Sequence, residues 1–187
     1  PKLIKSRFLG EDKKIHSLND IIEYHNETMA TKLCAKTICH YKTSQKYVLA
    51  FVSKKYKSSD IYLQDLDYAF VLSFENFLRS YQPRHYQGKI GNNAVMKHIQ
   101  RLRKMITLAY HLEWIDRDPF VKFKPKLEKR ERDFLTDLEL KNIENLTTSI
   151  ERLSVVKDLF VFSCYTGISY SDIMKLSKDS IVLGIDG

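Results

Sequence analysis

Asn92-Asn93-Ala94-Val95-Met96-Lys97-His98-Ile99-Gln100-Arg101-Leu102-Arg103-Lys104-Met105-Ile106-Thr107-Leu108-Ala109-Tyr110-His111 is the stretch from which the fold can be read. Val95, Ile99, Leu102, Ile106 and Ala109 recur at steps of 4, 3, 4 and 3, the spacing of one buried helix face. At 100° per residue, Asn93, Lys97, Gln100, Arg101 and Lys104 gather on the opposite face, and none of them is acidic. The predicted helix runs to about His111, with Asn92 or Asn93 as its cap. One side is built for a core, the other from hydrogen-bond donors and cations.

Upstream, three more helices are expected to supply that core. Ser17-Leu18-Asn19-Asp20 ahead of Ile21, Ile22, Tyr24, His25 and Met29 reads as a capped amphipathic helix ending near Thr31. A second is predicted from about Lys36 to Tyr56, with Ile38, Tyr41, Val48, Leu49, Val52 and Tyr56 inward. Lys36, His40, Thr43, Tyr47 and Lys54 then project away from that stripe, again with no carboxylate. Lys57 to Asp60 breaks the pattern, Ile61 to Leu63 reads as extended, and a third helix is predicted from about Asp65 to Ser80 on Phe70, Phe74, Phe77 and Leu78. Gln82 to Gly91, with one proline and two glycines, reads as a loop. Four such helices close a compact bundle.

Downstream, from Asp116 to Arg132, periodicity stops. Asp118-Pro119 and Lys124-Pro125 favour extended backbone, and Lys122, Lys124, Lys126, Lys129, Arg130 and Arg132 make the stretch a basic linker. Thr136-Asp137-Leu138-Glu139 is a capping box that opens a second unit near Phe134. A helix from about Glu151 to Cys164 is apolar on nearly every side, the pattern of a central buried helix. Ser180 to Leu183 reads as the start of a strand.

Composition narrows the partners. The net charge of +8 resides between Arg84 and Arg132, where 13 Lys/Arg face 5 Asp/Glu, while the rest of the chain has 18 of each. A one-sided block of cations fits a polyanion better than a merely solvated surface does. An α-helix fits the major groove of duplex DNA, where Lys and Arg neutralise phosphates and Asn, Gln, Thr and Arg also meet base edges. Lys36, His40, Thr43, Tyr47, Asn93, Lys97, Gln100, Arg101, Lys104, Lys122 and Lys124 are therefore the candidate DNA contacts. An acidic protein partner remains the alternative reading of the same charge. Three cysteines, Cys34, Cys39 and Cys164, form no disulfide framework and no zinc-spaced cluster, so a reducing compartment and no metal are expected. No apolar run reaches the ~20 residues of a membrane span, and Pro1 to Lys5 does not read as a signal peptide, which makes a cytoplasmic location the expectation.

Phe160-Val161-Phe162-Ser163-Cys164-Tyr165-Thr166-Gly167-Ile168-Ser169-Tyr170-Ser171-Asp172-Ile173-Met174-Lys175-Leu176 resembles a box of the tyrosine recombinases, the phage integrase family. In that box an apolar helix leads to Thr-Gly-Leu-Arg, an acidic residue three positions on, and a leucine. Phe134-Leu135-Thr136, Asp118-Pro119-Phe120 and the order of the units agree with it, most closely in integrases of Bacteroides-group mobile elements. The resemblance implies a mainly α chain with a four-to-five-helix SAM-like core-binding bundle over residues 15–115. A basic linker over 116–133 and the truncated, mostly helical start of a catalytic domain over 134–187 would follow. It implies a clamp on double-stranded DNA, self-association on that DNA in the full-length bacterial protein, and a metal-free, cofactor-free reaction. In that reaction a tyrosine attacks a phosphate and arginine forks stabilise the phosphorane.

At the first catalytic arginine of that family stands Ser169, which cannot supply a charged fork, whereas Asp172 fits the acidic position. The family's lysine hairpin, His-x-x-Arg box and nucleophilic tyrosine would lie beyond Gly187. The expectation is a chain that binds DNA without cutting it. A non-catalytic helical regulator is the alternative, and it has no need of the segment from Phe134 to Leu176.

Overall fold

The computed structural model describes residues 15–83, 88–129 and 131–180. Among these the chain is helical: α1 (Leu18–Met29), α2 (Ala35–Tyr56), a 3-10 turn (Leu63–Asp65), α3 (Tyr68–Ser80), α4 (Asn92–His111), α5 (Asp137–Glu144), α6 (Glu151–Thr166), α7 (Tyr170–Ile173) and a second 3-10 turn (Lys178–Ser180). It separates into two compact units that divide between Lys129 and Arg130.

Local chemistry explains where the elements of the first unit begin. The Ser17 side chain accepts from the Asp20 N–H at 3.2 Å and the Asp20 carboxylate accepts from the Ser17 N–H at 2.8 Å, so α1 starts in a closed capping box. Residues 16–18 and 61–63 clip together as Leu18 N–H donates to Ile61 O at 2.9 Å and Leu63 N–H to His16 O at 3.0 Å. α2 ends at Lys57, whose φ of 52° is the left-handed cap of a helix that cannot continue. The third helix starts three residues later than its apolar stripe predicts, because the Asp67 carboxylate caps it by accepting from the Phe70 N–H at 2.7 Å. Gly91, rather than Asn92 or Asn93, occupies the cap position of α4.

The core lies among α1 to α4. All five predicted residues of the α4 stripe are buried, joined by Met96 and Met105. Phe51 meets Phe70, Phe74 and Phe77 with ring centroids 5.3–5.5 Å apart, which locks α2 against α3. On α2 the inward face differs from the predicted stripe: Ser44, Gln45 and Phe51 are buried, while Tyr56 is exposed. Gln45 is accommodated because its amide donates to Asn26 Oδ1 on α1 at 2.7 Å.

The segment after α4 also differs from a free linker. Ile115, Phe120 and Phe123 are buried in the first unit's core, so the chain remains part of that unit past residue 115. From Asp118 to Glu128 it forms a strap that runs antiparallel along α4. Thr107 Oγ1 donates to Asp118 Oδ2 (3.1 Å), Arg103 to Phe123 O (3.3 Å), Asn92 to Lys126 O (2.9 Å) and Asn93 to Glu128 O (2.8 Å). Proline and charge broke the helical pattern here, but three apolar side chains were enough to hold the backbone down.

In the second unit Thr136 and Glu139 close the predicted capping box at the start of α5. α6 spans the predicted helix and continues to Thr166, where Gly167, at φ 70°, returns its N–H to Ser163 O at 2.9 Å. Contrary to its reading as a buried central helix, no residue of α6 is buried, and Val155, Val156, Phe160 and Phe162 are exposed. The strand expected from Ser180 to Leu183 lies, after Ser180, outside the described residues, as does part of the loop from Gln82 to Gly91.

Candidate nucleic-acid interface

α2 and α4 pack side by side, and neither contains an aspartate or a glutamate in its 22 and 20 residues. Across their seam the hydroxyl of Ser44 is the common partner. It donates to His40 O within α2 at 3.0 Å, lies 2.8 Å from His98 Nδ1 on α4, and receives a long 3.5 Å contact from Arg101 Nη1. Tyr47 covers the other side of His98, edge to face at 4.8 Å, and packs on Tyr81 at 5.4 Å. Burial, followed by the charge of Arg101 and the proximity of the His40 ring, pushes the His98 pKa down to about 4. The seam is thus cationic with a neutral imidazole in its middle.

The predicted contact residues are distributed unequally over this surface. Lys36, His40 and Thr43 on α2 and Lys97 and Lys104 on α4 are exposed, and Arg101 stands half-buried at the seam. Thr43 bonds back to Cys39 O at 2.9 Å within its own helix. Tyr47 is drawn into ring packing. Asn93 is committed to the strap, since its carboxamide both donates to Glu128 O and accepts from the Glu128 N–H, each at 2.8 Å. Gln100 turns with Lys104 toward α1, where His25, Met29 and His111 line a shallow pocket with them. Lys122 and Lys124 are exposed on the strap, held relative to α4 by the bonds described above.

Two residues that organise the seam, Ser44 and His98, are absent from the sequence-based set. Their signal was present as polar side chains at the edge of an apolar stripe, a position where a hydrogen-bond partner on the neighbouring helix is required. His25, part of the first helix's sequence pattern, lies between α1 and α2. It is buried against Tyr41 beside Asn26, and burial holds its pKa below the ordinary imidazole value.

A match to the phage integrase SAM-like domain covers residues 17–125, more than half of the chain. The chain belongs to that family. The match runs from the α1 cap through the strap, which agrees with the extent of the first unit's core. No curated protein and no solved structure is significantly similar to the chain. A helix pair without carboxylates is a surface on which an anionic ligand meets no like charge.

In the second unit, Ser169 Oγ donates to Asp172 Oδ2 at 2.6 Å and lies 2.9 Å from Ser171 Oγ. The two positions singled out from the recombinase box are thereby bonded to each other at the start of α7. Among the described residues no group of three or more His, Cys, Asp or Glu side chains gathers to hold a metal ion, and no helix is long and apolar enough to cross a membrane.

Proposed function

We propose that the chain is the DNA-gripping portion of a site-specific tyrosine recombinase of a mobile element, acting in DNA integration. The first unit binds duplex DNA through the α2–α4 seam, with Lys36, His40, Lys97 and Arg101 at the groove and phosphates. Lys122 and Lys124 on the strap extend the contact along the backbone. The observation that carries this reading is the absence of any carboxylate from 42 residues of paired helix in a family of integrase domains. Self-association on DNA and a bacterial cytoplasmic setting belong to the same reading.

The second unit is read as the start of the catalytic domain, with Ser169 in place of an arginine and Asp172 as its orienting partner. Because a serine cannot fork onto the nonbridging oxygens of a phosphate, the chain by itself binds DNA and does not cleave it. A nicked duplex that traps phosphotyrosine links is expected to yield no covalent adduct.

Titration of the full chain with a mixed-sequence duplex over a salt series tests the binding. Lys97→Ala/Arg101→Ala is expected to weaken binding at least tenfold at low salt and to reduce the magnitude of the salt slope by about 1, for the lost Lys97 phosphate contact. Equal affinity for duplex DNA and for an acidic polypeptide of the same charge density would favour the protein-partner alternative and sink the proposal.

A further inference from the structure

The hydrogen bonds at Ser44 can be satisfied in only one way if all three contacts coexist. A serine hydroxyl has one proton to give and two lone pairs to accept with. The His40 carbonyl, 3.0 Å away, can only accept, so the Ser44 proton goes there. Arg101 Nη1 can only donate, so it takes one lone pair. The 2.8 Å contact to His98 Nδ1 is then a bond in which the imidazole donates, which makes His98 the Nδ1–H tautomer with a bare lone pair on Nε2. A free neutral imidazole has no such constraint. Among the described residues the groups that face His98 are Arg101 on α4 and His40 and Tyr47 on α2, with Tyr81 behind Tyr47, and none of these is a carboxylate that would draw a second proton onto the ring.

We propose that His98 is a positioning residue for specificity: by donating from Nδ1 to Ser44 it fixes the oxygen on which Arg101 docks, and so aims the guanidinium at a base edge. This rests on the DNA-binding reading and sharpens it. Phosphate contact tolerates a wandering cation, since any nearby oxygen serves. Bidentate recognition of guanine O6 and N7 does not, because both N–H groups must meet two acceptors in one plane. A neutral imidazole also does this without placing a further positive charge directly against the Arg101 guanidinium, which would push it off its aim. His98 therefore acts through Ser44 and Arg101 and touches no base itself.

The amide of asparagine places a donor near the position of Nδ1, whereas that of glutamine places it nearer Nε2. His98→Asn and His98→Gln in the full chain therefore separate aim from mere packing. Wild type is first used to select duplexes from a randomised pool, and the ratio of affinities for selected and scrambled duplex is measured for each variant. His98→Gln is expected to lower that ratio about tenfold, the scale of one bidentate base contact, with affinity for scrambled duplex changed less than about twofold. His98→Asn is expected to restore most of the ratio, and nitrogen NMR of wild type at pH 7 to show the Nδ1–H tautomer. An unchanged ratio in His98→Gln, or an Nε2–H tautomer in wild type, overturns the inference while leaving the binding proposal in place. A wild-type chain that binds no duplex overturns both, and that outcome is recognised before any variant is made.

Discussion

His98 ties local geometry to acid stability. Its pKa is about 4 in the folded chain, against about 6.5 for an imidazole in an unfolded one. Between those values the unfolded chain takes up a proton that the folded chain refuses, so stability is lost as pH falls from about 6.5 to about 4 and is fully present above that window. Allowing for the partial exposure of the ring, the loss between pH 7 and 4.5 should be about 1–2 kcal/mol. Urea unfolding of wild type and His98→Asn across that range measures it. His25, whose pKa is lowered in the same direction, is common to both proteins, so their difference isolates His98. Parallel curves would show that His98 does not titrate with folding. Asn93 makes a separate prediction. Removing its carboxamide in Asn93→Ala takes away two hydrogen bonds to Glu128 and should cost about 1–2 kcal/mol. Faster exchange of the Glu128 amide, with little change at Met105, is the specific readout.

At the scale of the element, helix starts follow side-chain chemistry more closely than hydrophobic pattern does. Ser17→Ala opens the α1 capping box and should destabilise the first unit by about 1 kcal/mol in thermal or urea unfolding, whereas Ser17→Asp should retain most of the stability. The Ser17 cap, the Thr136 capping box and the α4 stripe were legible in the sequence because each depends on residues within a few turns of one helix. The late start of α3 was less so, since the pattern alone does not weigh the Asp67 cap against the apolar Leu66 before it. The inward turn of Ser44 and Gln45 was hidden for a different reason. Their partners His98 and Asn26 are 54 and 19 residues away, and no periodicity reports a hydrogen bond to another helix. The strap was misread on the same ground. Prolines and lysines describe its local backbone correctly, but its attachment depends on Phe120 and Phe123 reaching a core assembled elsewhere in the chain. Of the candidate site, the exposed cations on α2 and α4 were readable by helical geometry, while Asn93 and Tyr47 were already engaged by neighbours that geometry could not supply.

Over the whole molecule, charge and core divide along the same boundary. With the division at Lys129, 24 Lys/Arg against 13 Asp/Glu give the first unit +11, and 7 against 10 give the second −3. The first unit also holds 23 of the buried hydrophobic residues, whereas in the second Ile173 is the one buried hydrophobic among the described residues. Burying a large apolar side chain contributes about 1.5–3 kcal/mol, against about 1–2 kcal/mol of backbone entropy for every residue ordered. One buried isoleucine cannot offset the ordering of α5 to α7, while the α1–α4 core is of the size that supports a cooperative unit. Hydrogen exchange on the full chain should therefore be bimodal: amides of α4 open only with global unfolding of the first unit, and those of α5 and α6 exchange through local opening many times faster. Duplex DNA should slow exchange in α2, α4 and the strap, because ligand that binds only the folded first unit raises its unfolding free energy by mass action. The second unit, net negative and without a carboxylate-free helix pair, should show little of that protection. Protection that rises equally in both units on adding DNA would mean that α5 to α7 share the duplex contact, and that the division of labour drawn from charge and burial is wrong.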